Sequence, residues 1–184
     1  MSDLSYPIVT ARLQLRPLSL GDVEALHAYH SLEEVARYQF WSERTKEELA
    51  VKIAEWAAND NLVLGVVLVE TGRLIGDVVL SFKDRAARQG EIGYSFNPDA
   101  TGQGYASEAV TALVDTGFAE AGLHRIYGRC DARNTSSWRL LERLGFRREA
   151  HFREHALFKG EWDEEFYYAM LEDEWRQRQG QGAD

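Results

Sequence analysis

Two glycines in a short turn are the first residues whose type and spacing could do chemistry. Gly102-Gln103-Gly104 directly precedes a run, Tyr105 to Phe118, in which apolar residues recur at helical spacing. Unpaired N–H groups and the positive end of the helix dipole favour an anion at a helix start, and glycine lets a ligand approach the backbone closely. The turn therefore predicts a phosphate-binding site.

Other phosphate-binding motifs make demands that this turn does not meet. A P-loop would need Gly-Lys-Ser/Thr, but Tyr105 and Ala106 occupy those places. A dinucleotide-binding fold would need an acidic residue about twenty positions further on, closing a second parallel strand. Ala121-Gly122 ends the helix at that distance instead. On this motif alone, a glycine loop that merely reverses the chain stays open.

A carboxylate lies upstream of the turn on a predicted strand. Residues 91–96 alternate between a bulky face and a face formed by Glu91, Gly93 and Ser95. The small neighbours would leave a channel beside the Glu91 carboxylate. Such a group can remove a proton from an amine, either directly or through water. A solvated strand carboxylate is the alternative interpretation.

Asn134 and Ser137 stand at the start of a second helical pattern. Because they are three residues apart, they share a helix face and both can point at one ligand. In the structural interpretation, Asn134 caps the helix and Ser137 supports the cap. The two interpretations are compatible.

Metal and cysteine chemistry find little support in the sequence. The histidines are scattered, and no acid or cysteine completes a ligand set with suitable spacing. We predict no metal site and surface positions for all five histidines, which are His27, His30, His124, His151 and His155. The single cysteine, Cys130, excludes an internal disulfide and is predicted to be a buried small hydrophobic residue.

The elements that must position these residues alternate along the chain. Strand patterns are found at residues 11–17, 62–69, 73–82, 91–96, 125–131, 146–158 and 165–171, and helical patterns begin near residues 19, 31, 45, 105 and 134. This order predicts one α/β domain over residues 1–175, with a mixed, mostly antiparallel sheet of about seven strands. Residues 176–184 are polar and glycine-rich, which predicts a disordered tail.

Composition narrows the classes of function. A chain of 184 residues that is 45% hydrophobic can bury one core, and its net charge of −9 argues against a nucleic-acid partner. No apolar run approaches membrane-spanning length, and no signal-peptide pattern opens the chain. We therefore predict a soluble cytoplasmic protein without a membrane partner, whose acidity would attract a cationic acceptor.

Two stretches carry a resemblance to a known family. Thr101-Gly102-Gln103-Gly104-Tyr105-Ala106 resembles the acyl-CoA pyrophosphate loop of the GCN5-related N-acetyltransferases, the GNAT family, whose usual form is Arg/Gln-x-x-Gly-x-Gly/Ala. The arginine or glutamine that usually opens this loop is absent here. The run from Asn134 to Phe146 resembles the family's later helix, sits at its place in the chain order and ends in the same Gly-Phe. The sequence of these motifs is most similar to that of the RimJ/RimL branch.

The resemblance implies acetyl-CoA as a cosubstrate and transfer of its acetyl group to a primary amine in a ternary complex. It also implies a sheet that is splayed where the pantetheine arm enters, with the thioester polarised by backbone N–H groups near Phe96. The implied acetyl-CoA contacts are Phe96, Gly102, Gln103, Gly104, Tyr105, Ala106 and Asn134.

The catalytic residues are also implied by the resemblance. The segment Glu-Ile-x-Tyr/Phe resembles the catalytic carboxylate segment of the histone-type members, which makes Glu91 the base. The family often has a tyrosine as general acid, but Leu141 occupies that place. In the branch with Asn-x-x-Ser, a serine lies one turn earlier, so Ser137 or water would protonate the departing thiolate.

Related acetyltransferases place a substrate-covering segment where Phe40 and Trp41 lie, so these are candidate substrate-binding residues. A packing plug between two helices is the alternative for this pair. The acceptor would be a protein N-terminus or a small-molecule amine, and a hairpin over residues 146–171 would allow a homodimer. A catalytically idle CoA-binding module and an interaction domain are the competing classes of function.

Overall fold

The computed structural model describes residues 6–181. The strands are β1 Ile8–Val9, β2 Leu13–Pro17, β3 Leu62–Leu68, β4 Leu74–Asp84, β5 Gln89–Phe96, β6 Arg125–Asp131, β7 Arg147–Phe158 and β8 Glu161–Leu171. The helices are α1 Val23–His30, α2 Glu33–Ala36, α3 Lys46–Ala58, α4 Tyr105–Ala119, α5 Thr135–Arg143 and α6 Glu172–Gln181. Within these described residues, no helix is long and apolar enough to cross a membrane.

The strands form one sheet in the order β1-β2-β3-β4-β5-β6-β8-β7. β5 and β6 are parallel, whereas β1-β2, β2-β3, β3-β4, β6-β8 and β7-β8 are antiparallel. The predicted mixed, mostly antiparallel sheet is confirmed. It has eight strands because the two-residue β1, which the sequence pattern did not reveal, pairs Ile8 with Leu15 of β2.

Contacts group the chain into two compact units. The first contains the described residues up to Ser81 together with Gly93–Leu113, and the second contains Phe82–Ile92 together with the described residues from Val114 onward. β4, β5 and α4 contribute residues to both units. A single domain over residues 1–175 stays a prediction.

In the first unit, α1 and α3 pack on β3 and β4. The shared core is Leu26, Tyr29, Leu49, Ile53, Val67 and Leu74. α3 begins with the predicted capping box, in which Thr45 Oγ1 accepts from the Glu48 N–H at 3.2 Å and Glu48 Oε2 accepts from the Thr45 N–H at 2.8 Å. This box fixes where α3 starts and therefore where the preceding aromatic loop ends.

In the second unit, α5 packs closely on β6. Residues 89–92 of β5 pair in parallel with residues 125–128 of β6, and α5 lies over the face to which Gly128 belongs. A β-carbon on Gly128 would lie 3.4 Å from Leu141 of α5, so glycine gives the helix room to approach the strand. Leu141 is consequently buried.

The predicted disordered tail is wrong for residues 176–181, which belong to α6. Trp175 Nε1 and Gln179 Nε2 donate to Asp115 Oδ1 of α4, at 2.7 and 2.9 Å. The Trp175 ring also stacks on Phe118 at a centroid distance of 5.4 Å. These tertiary contacts order a segment whose own composition is polar; residues 182–184 lie outside the described part of the chain.

Candidate functional site

The glycine turn of the first unit has the backbone geometry that an anion cradle needs. Gly102 and Gly104 have φ values of 75° and 80°, in the left-handed region that side chains rarely adopt. A β-carbon built on Gly102 would have no protein atom within 4 Å, so this side of the turn is open. α4 begins at Tyr105, immediately after the turn, and its first N–H groups have no partner within the helix. The turn therefore fits a phosphate group.

Arg12, the residue immediately before β2, lies against this turn, although the sequence analysis did not identify it. Its Nη1 donates to the Gln103 carbonyl at 3.0 Å, and its guanidinium carbon lies 4.6 Å from the Tyr105 ring centroid. Arg12 and Gln103 are 91 residues apart, so no local sequence pattern could have joined them.

Glu108, in the first turn of α4, holds Arg12 in this position. Arg12 Nε donates to Glu108 Oε2 at 2.7 Å, while the Arg12 N–H and the Thr10 hydroxyl donate to Oε1 at 2.9 and 2.6 Å. Burial raises the pKa of Glu108, but the hydrogen bonds from Thr10 and Arg12 outweigh it, so the net pKa is lowered. Glu108 is therefore a charged anchor for Arg12.

Phe96 ends β5 just before the turn. A β-carbon on Gly76 of β4 would lie 2.5 Å from the Phe96 ring, so the glycine makes room for this side chain. The next N–H, that of Asn97, donates to the Ile75 carbonyl at 2.9 Å. This bond fixes the end of β5 where the cradle begins. A contact between Phe96 and a thioester stays a prediction.

The aromatic pair Phe40 and Trp41 separates into two roles. Phe40 is 70% exposed. Trp41 instead stacks on His30, with the ring planes 1° apart and the centroids 4.5 Å apart, and the Arg44 guanidinium carbon lies 4.4 Å from its indole. Trp41 thus packs against neighbouring side chains, whereas Phe40 is exposed; contacts of either residue with an acceptor stay predictions.

The predicted surface position of His30 is wrong, because this side chain is only 1% exposed. Its Nε2 lies 2.8 Å from Asp77 Oδ1, an oxygen that also accepts from the Tyr29 hydroxyl at 2.7 Å. A buried carboxylate needs such partners, and His30 supplies one from the end of α1. The network fixes the imidazole on which Trp41 stacks.

Glu91 lies in the second unit and contacts two cations. Arg129 Nε donates to Glu91 Oε1 at 2.8 Å, and Lys83 Nζ lies 3.0 Å from Oε2. The carboxylate is 13% exposed, so its position is fixed by charged partners rather than by solvent. It is therefore not a simple solvated strand carboxylate.

A second carboxylate, Glu165 of β8, shares Arg129 with Glu91. Glu165 Oε1 lies 3.7 Å from Arg129 Nη1, and its Oε2 lies 3.7 Å from His155 Nε2. Burial raises the pKa of Glu165, and the negative charges of Asp163 and Glu91 add to this effect, whereas Arg129 and His155 oppose it. Sequence analysis missed Glu165 because nothing in its local pattern distinguishes it from a solvated strand residue.

Asn134 caps α5, as the structural interpretation predicted. Its Oδ1 accepts from the Ser137 N–H at 3.2 Å and from the Ser136 hydroxyl at 2.9 Å. Ser137 is half-buried and hydrogen-bonds to the Cys130 thiol. Burial raises the pKa of that thiol, and the hydrogen bond with Ser137 opposes this effect only in part. Roles for Asn134 in cosubstrate binding and for Ser137 as general acid stay predictions.

Glu91 and Ser137 contact opposite faces of β6. Arg129, which binds Glu91, and Cys130, which binds Ser137, are successive strand residues and so point to opposite sides of the sheet. A proton acceptor and a proton donor would therefore act from different faces of the same strand pair.

Within residues 6–181, no group of three His, Cys, Asp or Glu side chains is placed to hold a metal ion. His151 lies 2.9 Å from Glu164, and His155 lies 3.0 Å from Asp163.

Comparisons with known proteins agree on one family. Residues 12–147 match the family model described as an acetyltransferase (GNAT) domain. The uncharacterized N-acetyltransferase YnaD of Bacillus subtilis (strain 168) is 35% identical over 168 residues, which cover 91% of this chain and 98% of that protein. The crystal structure of an acetyltransferase (GNAT family) from Bacillus anthracis has a TM-score of 0.85 and 36% identity, covering 91% of this chain and 99% of that one.

A relative with a named acceptor matches a shorter stretch. The ribosomal protein uS5-alanine N-acetyltransferase of Escherichia coli (strain K12) is 31% identical over 84 residues, which cover 46% of this chain and 43% of that protein. The residues matched by the family model include Glu91, the glycine turn and the whole of α5.

Proposed function

The chain belongs to the GNAT family of acetyltransferases, and we propose that it transfers the acetyl group of acetyl-CoA to a primary amine by direct attack in a ternary complex. The amine nitrogen forms a bond to the thioester carbonyl carbon as the carbon–sulfur bond breaks. The nitrogen loses one proton and the thiolate gains one, so the products are an N-acetylated amine and the CoA thiol. The protein contributes positioning and proton transfer.

The glycine turn is the observation that carries the proposal. Its left-handed glycines, its open side and the helix start behind it suit the diphosphate of CoA. Binding there uses backbone N–H groups of residues 102–106, so it survives the absence of the usual arginine or glutamine. Phe96 and Asn134 are proposed as further contacts to the cosubstrate.

Glu91 is proposed as the base, acting directly or through a water molecule. Its two ion pairs support a fixed, charged carboxylate, which can accept the proton of the substrate amine through a bridging water molecule. Ser137, or water, is proposed to return a proton to the thiolate. Leu141, which occupies the place where the family often has a tyrosine, is an aliphatic side chain buried against Gly128 and has no proton to donate.

The acceptor is proposed to be a protein N-terminal amine or a small-molecule amine, in the manner of the RimJ/RimL branch. The E. coli relative is named for an alanine of a ribosomal protein, which supports a protein N-terminus. The net charge of −9 supports a cationic acceptor of either kind. Phe40, whose side chain is largely exposed, and the adjacent Trp41 are proposed to contact that acceptor.

The test combines donor binding with acceptor turnover. Calorimetry with CoA should give a measurable dissociation constant, and thiol release from acetyl-CoA should accelerate with at least one member of a panel of N-terminal peptides, polyamines and other primary amines. CoA binding without turnover on any amine would indicate an idle CoA-binding module. Absence of CoA binding would overturn the proposal.

A further inference from the structure

We propose that Arg12, which immediately precedes β2, supplies the cation that binds the diphosphate of CoA, in place of the arginine or glutamine that this chain lacks in the glycine turn. The inference rests on the proposed function, because it concerns how the same cosubstrate is held. It adds a residue distant in sequence from the motif to the phosphate site.

The position of Arg12 is the first support. Its Nη2 would lie 3.4 Å from a β-carbon on Gly104, which places the guanidinium at the edge of the cradle rather than behind it. Its Nη1 bonds the Gln103 carbonyl at 3.0 Å, so the guanidinium is tied to the backbone of the turn itself. A phosphate bound to the backbone of the turn would therefore lie next to the Arg12 guanidinium.

The donors of Arg12 are the second support. A guanidinium has five N–H groups. Within residues 6–181, Nε and Nη2 are directed at Glu108 Oε2, both at 2.7 Å, and Nη1 donates to Gln103. These contacts leave one N–H on each terminal nitrogen, and such a pair matches two phosphate oxygens in the fork geometry that arginine favours.

The exposure of the two partners is the third support. The Arg12 side chain is 47% exposed, whereas that of Glu108 is 17% exposed and receives hydrogen bonds from Thr10 and Arg12. The pair has no net charge, but its positive member is the one that solvent and a ligand can reach. Glu108 therefore orients Arg12 while its own charge is directed inward.

One alternative must be separated from this assignment. Arg12 could serve only to neutralise Glu108, whose negative charge in the first turn of α4 would otherwise repel a phosphate. The variant Arg12→Gln removes both roles together. The double variant Arg12→Gln/Glu108→Gln removes the repulsion as well and leaves two side chains that can still hydrogen-bond to each other.

The experiment measures CoA affinity by calorimetry in full-length variants whose folding is checked by thermal unfolding. Arg12→Gln should weaken CoA binding about tenfold or more, as the loss of a charge-assisted phosphate contact predicts. The double variant should stay comparably weak, and Arg12→Lys, which keeps the charge without the fork, should fall between. Arg37→Gln, which removes an arginine from a more exposed ion pair with Glu33 in the same unit, should match the parent.

Salt supplies a readout that a purely structural role would not move. The affinity difference between parent and Arg12→Gln should shrink between about 0.1 M and about 1 M salt, because the Debye length falls from about 10 Å to about 3 Å. Recovery of parental affinity in the double variant would overturn the assignment in favour of neutralisation. A salt-independent loss would also overturn it, whereas a parent that fails to bind CoA would overturn the proposed function itself.

Discussion

At the scale of single residues, the Glu91 carboxylate decides how the proposed acyl transfer removes a proton. Arg129 and Lys83 contact its two oxygens, so an approaching ammonium meets an attractive carboxylate beside two repelling cations. Because both oxygens already have partners, we expect proton removal through a bridging water molecule rather than by direct contact.

Glu91→Gln should slow turnover by about 10²-fold near neutral pH and leave CoA affinity unchanged, because the shape is kept while the base is lost. The defect should shrink as pH rises, since more of the amine then arrives deprotonated. Lys83→Gln removes one cation but keeps the carboxylate and should retain most of the activity. A pH–rate profile of Glu91→Gln that follows the parent at every pH would remove Glu91 from the mechanism.

Ser137→Ala should lower kcat and leave CoA affinity nearly unchanged if the hydroxyl protonates the thiolate. Cys130→Ala is the matched control, because it removes the thiol that the Ser137 hydroxyl contacts and leaves the hydroxyl in place. Its kcat should equal or exceed that of the parent. Equal steady-state rates for Ser137→Ala and the parent would assign the proton to water.

At the scale of elements, local signals predicted the helix starts well. The Thr45/Glu48 box and the Asn134 cap are complete within four residues of sequence, and both are present in the structure. The glycine turn was predictable for the same reason, since its conformation depends on the two glycines themselves.

Features that depend on distant partners were not predictable. The Arg12–Glu108 pair joins residues 96 positions apart. The buried His30 is paired with Asp77, which is 47 positions away in the sequence. α6 has no apolar stripe, so its polar sequence suggested disorder until Asp115 of α4 supplied acceptors. In each case, a tertiary contact overrides what the local pattern indicates.

Asp115→Ala should destabilise the protein by about 1–3 kcal/mol, because the indole N–H of Trp175 and the amide of Gln179 lose their acceptor. The free energy of unfolding is measured by urea denaturation. Asp173→Ala, at an exposed position of α6, is the control and should change little. If both variants unfold at the same urea concentration, Asp115 does not anchor the helix.

At the scale of the whole molecule, carboxylates with altered pKa values determine how stability responds to acid. Hydrogen bonding to Arg125 lowers the pKa of Glu149, and hydrogen bonds from Arg16 and Ser19 lower that of Asp22 even though burial raises it. A lowered pKa stabilises the folded state above the ordinary value of the group, and this contribution is lost as pH falls through the folded value. These groups therefore make the fold sensitive to acid.

Glu165 differs from Asp22 and Glu149 because its pKa is raised rather than lowered. Glu165→Gln should therefore stabilise the protein near neutral pH. Because burial raises the pKa of Glu165, its charged form opposes folding above that pKa, while below the ordinary value both states are protonated and the penalty vanishes. Urea unfolding should give the variant a higher midpoint near neutral pH and no advantage in acid. Glu164→Gln, a more exposed neighbour on β8, is the control. A lower midpoint for Glu165→Gln at neutral pH would contradict the prediction.

Cys130, the only cysteine of the chain, is buried in β6, so the rate at which its thiol is labelled reports how often the strand becomes exposed. Burial raises the pKa of Cys130 to about 12, so a thiol reagent at neutral pH must wait until the strand is exposed. When reclosing is faster than labelling, the labelling rate gives the free energy of opening without knowledge of the acceptor. Adding CoA should slow labelling of Cys130 as more of the protein is bound. An equal labelling rate with and without saturating CoA would show that β6 opens independently of the cosubstrate.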